Sequence, residues 1–263
     1  MSLIADRTDK VIHLRSLLRE RFPEAHRAVQ PVPAAAPAPL SPEAPAAFLP
    51  DFPLGVDLLD RLDEGRGLAR GTMTEIVSRR RGGGAGTLIA GLLQAAATAE
   101  RRYPLALIDG ADSFDPGGLS DAPEAAAALC RQLLWVRCRH RIDRAIQAAD
   151  LLLRDGNLPV VLLDLQLCRI RDIRQGLPGG PSAWHRLRSL AEKTGTLFLA
   201  FTPEPLIPSV AWRLELDQHW PLDALDRLPV TGDLHREPIH FTLTRARPTT
   251  MAPTTAESWA MAG

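Results

Sequence analysis

Apolar positions change their period along the chain, and each period predicts a different element. Val11, Leu14, Leu18 and Phe22, with Leu17 beside them, recur at spacings of three and four. That pattern predicts an amphipathic helix over about residues 6–28, whose apolar stripe needs a partner surface: its own core, a second copy or another protein. Residues 31–50 carry seven Pro and seven Ala in twenty positions, a composition that blocks helix, buries little and reads as a linker. From residue 51 onward, short apolar runs alternate with helical patterns, the signature of βαβ units and a parallel sheet.

Strands are expected at residues 71–77 (GTMTEIV), 105–109 (LALID), 133–137 (LLWVR), 159–165 (PVVLLDL) and 196–202 (TLFLAFT). The run PVVLLDL is apolar almost throughout and is expected at the centre of the sheet. Helices are expected over about residues 87–102, 142–154 and 182–194, the second placing Ile142, Ile146, Ala149 and Leu153 on one face. Strands at 211–216 and 239–245, the latter alternating as IHFTLTR, read as an antiparallel edge hairpin. The organisation is therefore an N-terminal amphipathic helix over 1–30, a linker over 31–50, an α/β core over 51–247 and a flexible tail over 248–263.

Composition narrows the class. Hydrophobic residues make up 45% and charged residues 24% of 263, which excludes a fibrous chain and wholesale disorder. Thirty-one basic side chains balance thirty-one acidic ones, so any attraction to nucleic acid is local rather than global, and a membrane partner is not expected. Cys130, Cys138 and Cys168 form no CxxC pair and read as buried free thiols. The absence of an early apolar run or of a span of roughly 20 apolar residues places the protein in the cytoplasm as an expectation. No metal-ligand spacing and no Ser/His/Asp or Cys/His arrangement is present, so neither a metal nor a catalytic residue is assigned.

The segment SRRRGGGAG, residues 78–86, lies between an expected strand and an expected helix, and a later apolar strand ends in Asp164. This is the layout of a phosphate loop, in which loop amides hold phosphate, a lysine reaches the terminal phosphates, a hydroxyl binds magnesium and a strand-end aspartate supports the metal. Two longer stretches then resemble the RecA recombinase core: FPLGVDLLDRLDEGRGLARGTMTEIV, residues 52–77, and LIDGADSFDP, residues 107–116. Residues 150–164 resemble the helix and strand that carry the second nucleotide motif of that family. The resemblance spans roughly residues 52–216 and implies a RecA-like α/β fold, with a mostly parallel twisted sheet flanked by helices.

Laid on the family pattern, Ala85 stands where the lysine belongs and Gly86 where the magnesium-binding hydroxyl belongs, with Thr87 next to it. Ala111 takes the place of the water-activating glutamate, and the nucleotide-sensing glutamine falls near Pro203. Asp109, Asp112 and Asp164 are then vestigial strand-end acids. Little or no ATP hydrolysis is expected, and neither ATP nor magnesium is expected as a cofactor. The degenerate loop, Arg79, Arg80, Arg81, Gly82, Gly83, Gly84, Ala85, Gly86 and Thr87, is open to three readings: a bare exposed loop, a contact for DNA phosphate, or a nucleotide contact through guanidinium groups.

A second set of basic residues, Arg137, Arg139 and Arg141 around His140, and a third, Arg169, Arg171 and Arg174 with Trp184, read as DNA or partner contacts or as solvated loops. The resemblance implies that residues 203–209 (PEPLIPS) stand in the place of the family's second DNA loop; they carry no basic residue, so DNA binding is expected to be weak or indirect. Among RecA-like proteins the chain is most similar to the ImuA family, which implies an accessory role in the SOS mutasome and translesion synthesis. Expected partners are RecA and an ImuB-like polymerase relative, with self-association left open. The face of Val11, Leu14, Leu18 and Phe22 is the expected partner contact. Two alternatives stand beside this reading: a DNA-stimulated ATPase with an atypical loop, and a SulA-like cell-division inhibitor.

Overall fold

The computed structural model describes residues 54–217, apart from 55, 66, 100–102, 121 and 209, together with 241–246, Ser16 and Glu20. The expected partner face of the N-terminal helix, the linker and the tail lie outside the described residues; Ser16 and Glu20 are helical and exposed.

Seven strands form one sheet in the order β3-β2-β4-β5-β1-β6-β7. They are β1 (Met73–Ser78), β2 (Leu105–Asp109), β3 (Leu133–Arg137), β4 (Val160–Asp164), β5 (Leu197–Thr202), β6 (Trp212–Leu216) and β7 (Phe241–Ala246). The first six run parallel, and β7 pairs antiparallel with β6 at the edge. Strands β1, β2, β4 and β5 are buried along their whole length. Sheet faces covered on both sides require such continuous apolar runs. Strand β4 was expected at the centre, but β5 takes the middle position, since TLFLAFT is buried as completely as VVLLD.

Among the described residues from 54 onward, the α-helices are α1 (Asp57–Asp60), α2 (Leu62–Gly65), α3 (Ala85–Thr98), α4 (Pro123–Cys130), α5 (Ile142–Asp155), α6 (Ile170–Gly176) and α7 (Ser182–Thr194). One face of the sheet packs on Leu88, Ile89, Leu92, Leu93 and Ala96 of α3, joined by Leu59, Leu62, Ala126 and Leu129. The other packs on Ile142, Ala145, Ile146, Ala149 and Leu153 of α5 with Trp184, Leu187 and Ala191 of α7. The spacing of these residues gives each helix one apolar stripe. Gly156 and Gly195, at φ 68° and 67°, end α5 and α7 in the left-handed conformation that glycine adopts without strain.

Three expectations are corrected here. Helix α3 begins at Ala85, two residues before the periodic apolar pattern. Residues 170–176, within the set read as contacts or a solvated loop, form α6, anchored by the buried Ile173. Cys138 and Cys168 are buried, while Cys130 is only partly so. Among the described residues, no helix is long and apolar enough to cross a membrane.

Candidate functional site

The glycine loop leaves the carboxyl end of β1 and enters α3 at Gly84, whose φ of 97° needs a residue without a Cβ. Its hydrogen bonds turn inward. The Arg80 carbonyl accepts from the Gly83 amide at 3.2 Å, the Ser78 hydroxyl at 3.1 Å and the Gln166 side-chain amide at 3.1 Å. Gln166 also donates to the Ser78 hydroxyl at 3.2 Å, so a residue following β4 reaches over the end of β5 into the β1 loop. A Cβ on Gly83 would lie 2.5 Å from the Ser78 Oγ, which fixes how closely the loop folds back.

Of the three consecutive arginines, Arg79 forks onto Glu215 of β6, and its guanidinium is thereby held more firmly protonated. Arg80 and Arg81 are exposed. Ala85 is buried and offers only a methyl, Gly86 is exposed and offers no side chain, and Thr87 is half-buried.

The strand-end acids are occupied by structure. Asp109 is fully buried and accepts from the Ser113 and Phe114 amides at 3.0 and 2.9 Å and from the Trp135 indole at 3.3 Å. Asp112, at φ 60°, forks onto Arg137, which holds its carboxyl below the usual range. Arg137 lies 4.7 Å over the Trp135 ring, and that ring meets Phe114 edge-on at 5.3 Å. Asp164 accepts from the Gln166 backbone amide at 3.0 Å. Burial, with a smaller push from Asp109, raises its carboxyl to about 6. Burial likewise raises the Cys138 thiol to about 11 and the Cys168 thiol to about 12, so neither is a ready thiolate.

These residues do not fit a magnesium triphosphate. The Gly83 amide and the Ser78 hydroxyl are spent on the Arg80 carbonyl, and no lysine stands at the helix start. Among the described residues no cluster of His, Cys, Asp or Glu could hold a metal ion.

The other expected contacts divide. Trp184 is corrected: at 2% exposed it belongs to the core beside Leu187 and cannot stack on a base. Its place in the first turn of α7, facing the sheet, is the reason. Arg141 pairs with Asp143 at 3.1 Å and Arg174 with Glu204 at 2.8 Å. Arg139, Arg169 and Arg171 are exposed. The three basic sets follow β1, β3 and β4, two sheet positions apart in each step from β3 to β4 and from β4 to β1. At the usual strand separation this spaces them about 10 Å apart along the carboxyl end of the sheet.

One hub escaped the sequence reading. Glu75, within β1 and fully buried, accepts from Thr202 Oγ1 at 2.9 Å, the Leu206 and Ile207 amides at 2.7 and 3.2 Å, and Arg213 Nε at 2.6 Å. It ties the β5–β6 connection to the middle of the sheet. A lone acid inside an apolar strand, with an arginine in WRLEL, was the available signal.

No family model matches the chain, and no curated protein sequence does. Among solved structures, the RadB recombinase is similar, with a TM-score of 0.52 and 19% identity over 74% of this chain and 90% of that one. The likeness shows the fold: RecA-like, with a mostly parallel seven-stranded sheet and an antiparallel edge pair.

Proposed function

We propose that this chain is a RecA-like adaptor that does not hydrolyse nucleotide. Its work is to support translesion synthesis in the damage-inducible mutasome by binding RecA, an ImuB-like polymerase relative, or both. The observation that carries the first part is the inward-turned loop: three donors converge on the Arg80 carbonyl, and Ala85 offers a buried methyl where a lysine would reach phosphate. A site without its phosphate clamp or its general base forfeits several powers of ten in rate. The resemblance to the ImuA family supports the second part, and the Val11, Leu14, Leu18 and Phe22 stripe supplies a partner face.

Two measurements test it. Steady-state ATP hydrolysis, with and without single-stranded DNA, should stay at background; DNA-stimulated turnover would establish the ATPase alternative. Pull-down against RecA and the ImuB-like protein should retain the wild-type chain and lose Leu14→Asp/Leu18→Asp. No retention of either partner, together with co-sedimentation on division-protein polymers, would replace the adaptor with the SulA-like reading.

A further inference from the structure

Three consecutive glycines ordinarily leave a loop loose, because glycine gives up more backbone freedom on folding than any other residue. This loop is nevertheless held from outside itself at two points. Arg79 is tied to Glu215 on one side, an exposed ion pair of small worth. On the other side the Gln166 side-chain amide donates to Ser78 Oγ at the end of β1, at 3.2 Å, and to the Arg80 carbonyl in the loop, at 3.1 Å. The Arg80 carbonyl only accepts, so it fixes which end of the Gln166 amide faces the loop. The backbone of Gln166 is itself set by Asp164, whose carboxylate accepts its amide at 3.0 Å.

We infer that Gln166 is a latch holding the glycine loop shut and coupling it to the β4–α6 connection, so that displacing that connection releases residues 79–84. The inference goes beyond the adaptor reading and does not depend on it, since it concerns which segment moves and not what the chain binds. The coupling is directional in its geometry. Gln166 is three residues from Arg169, and the exposed Arg169 and Arg171 sit where the connection enters α6. Anything seated there pulls on the same short segment that carries the latch. The latch is also separable from the fold: Gln166 is only half-buried, and both loops it joins lie beyond the ends of buried strands.

Arg79, Arg80 and Arg81 make the test direct, because trypsin cuts after arginine and cuts only a loop that opens. Cleavage within residues 79–81, and amide exchange over 79–84, are followed for the wild type, Gln166→Ala and Gln166→Met. Both variants should cleave about tenfold faster than the wild type, the opening expected when a pair of neutral hydrogen bonds is lost, with exchange over β4, β5 and α5 unchanged. Methionine keeps the bulk of the side chain and removes its donors. Slow cleavage of Gln166→Met alone would show that bulk, not hydrogen bonding, holds the loop, and would overturn the latch. Wild-type rates in both variants would overturn it too, as would loss of protection across β4 and β5, which would make Gln166 a support of the whole fold.

Discussion

The loops after β1 and β2 leave the same end of the sheet, and both are organised by convergence on one acceptor. After β2 the acceptor is the buried carboxylate of Asp109, which gathers two backbone amides and the Trp135 indole. After β1 it is a backbone carbonyl, that of Arg80, gathering an amide, a hydroxyl and the Gln166 side chain. Hydrogen bonds to a charge are roughly twice as strong as neutral ones, and a buried charge without its donors is costly. The first loop is therefore bound to the stability of the fold, while the second can open with the fold intact.

The largest effect should come from breaking the charged centre. Asp109→Ala removes a fully buried carboxylate that accepts from three donors and should lower unfolding stability by about 4 kcal/mol in chemical denaturation. A loss below about 1 kcal/mol would remove the contrast between the loops.

Asp164, register partner of Asp109 on β4, gives the next effect and depends on pH. Its carboxyl is pushed from the ordinary 3.8 up to about 6, first by burial. Between those values the unfolded chain has released the proton and the folded chain still holds it. Stability should thus fall as pH rises from about 4 to about 6, by on the order of 3 kcal/mol, and stay at the lower level above. Asp164→Asn, which keeps an acceptor for the Gln166 amide, should lack this fall. Parallel stability curves for the two proteins between pH 4 and 6 would contradict it.

The smallest effect tests the neutral loop. Gly83→Ala places a methyl 2.5 Å from Ser78 Oγ, so the hydroxyl must swing off the Arg80 carbonyl, at a cost of about 1 kcal/mol. Ser78→Ala should cost a similar amount, and the double variant should lose less than the two singles together. Additive losses would mean that the two residues do not meet.

Much of the frame was legible because burial on both sheet faces leaves a direct trace. LALID and LLWVR mark β2 and β3 to the residue, and α5 was read from its apolar stripe to within a residue. The degenerate loop was legible as missing chemistry: no lysine at Ala85 and no hydroxyl at Gly86. Trp184 was misread because a tryptophan among arginines has the same local composition whether it stacks on a base or fills a core. Only its direction toward the sheet separates the two, and that depends on where α7 begins. Glu75 showed only as a lone acid in an apolar strand, and Gln166 not at all, for a related reason. Their partners lie far along the chain, Arg213 for one and Ser78 for the other, and no spacing rule joins them.

Side-chain period and residue chemistry act over a few neighbours, so the amino-acid order alone determined which segments become buried strands, which helices carry an apolar stripe, and which triphosphate groups are missing. Hydrogen-bond partners brought together by the sheet order are another matter. That β5 stands between β1 and β4, that Gln166 spans it to close the glycine loop, and that Glu75 anchors the β5–β6 connection were decided only when the strands were assembled. A buried polar group must find a partner wherever the fold places one, and sequence distance does not enter that requirement.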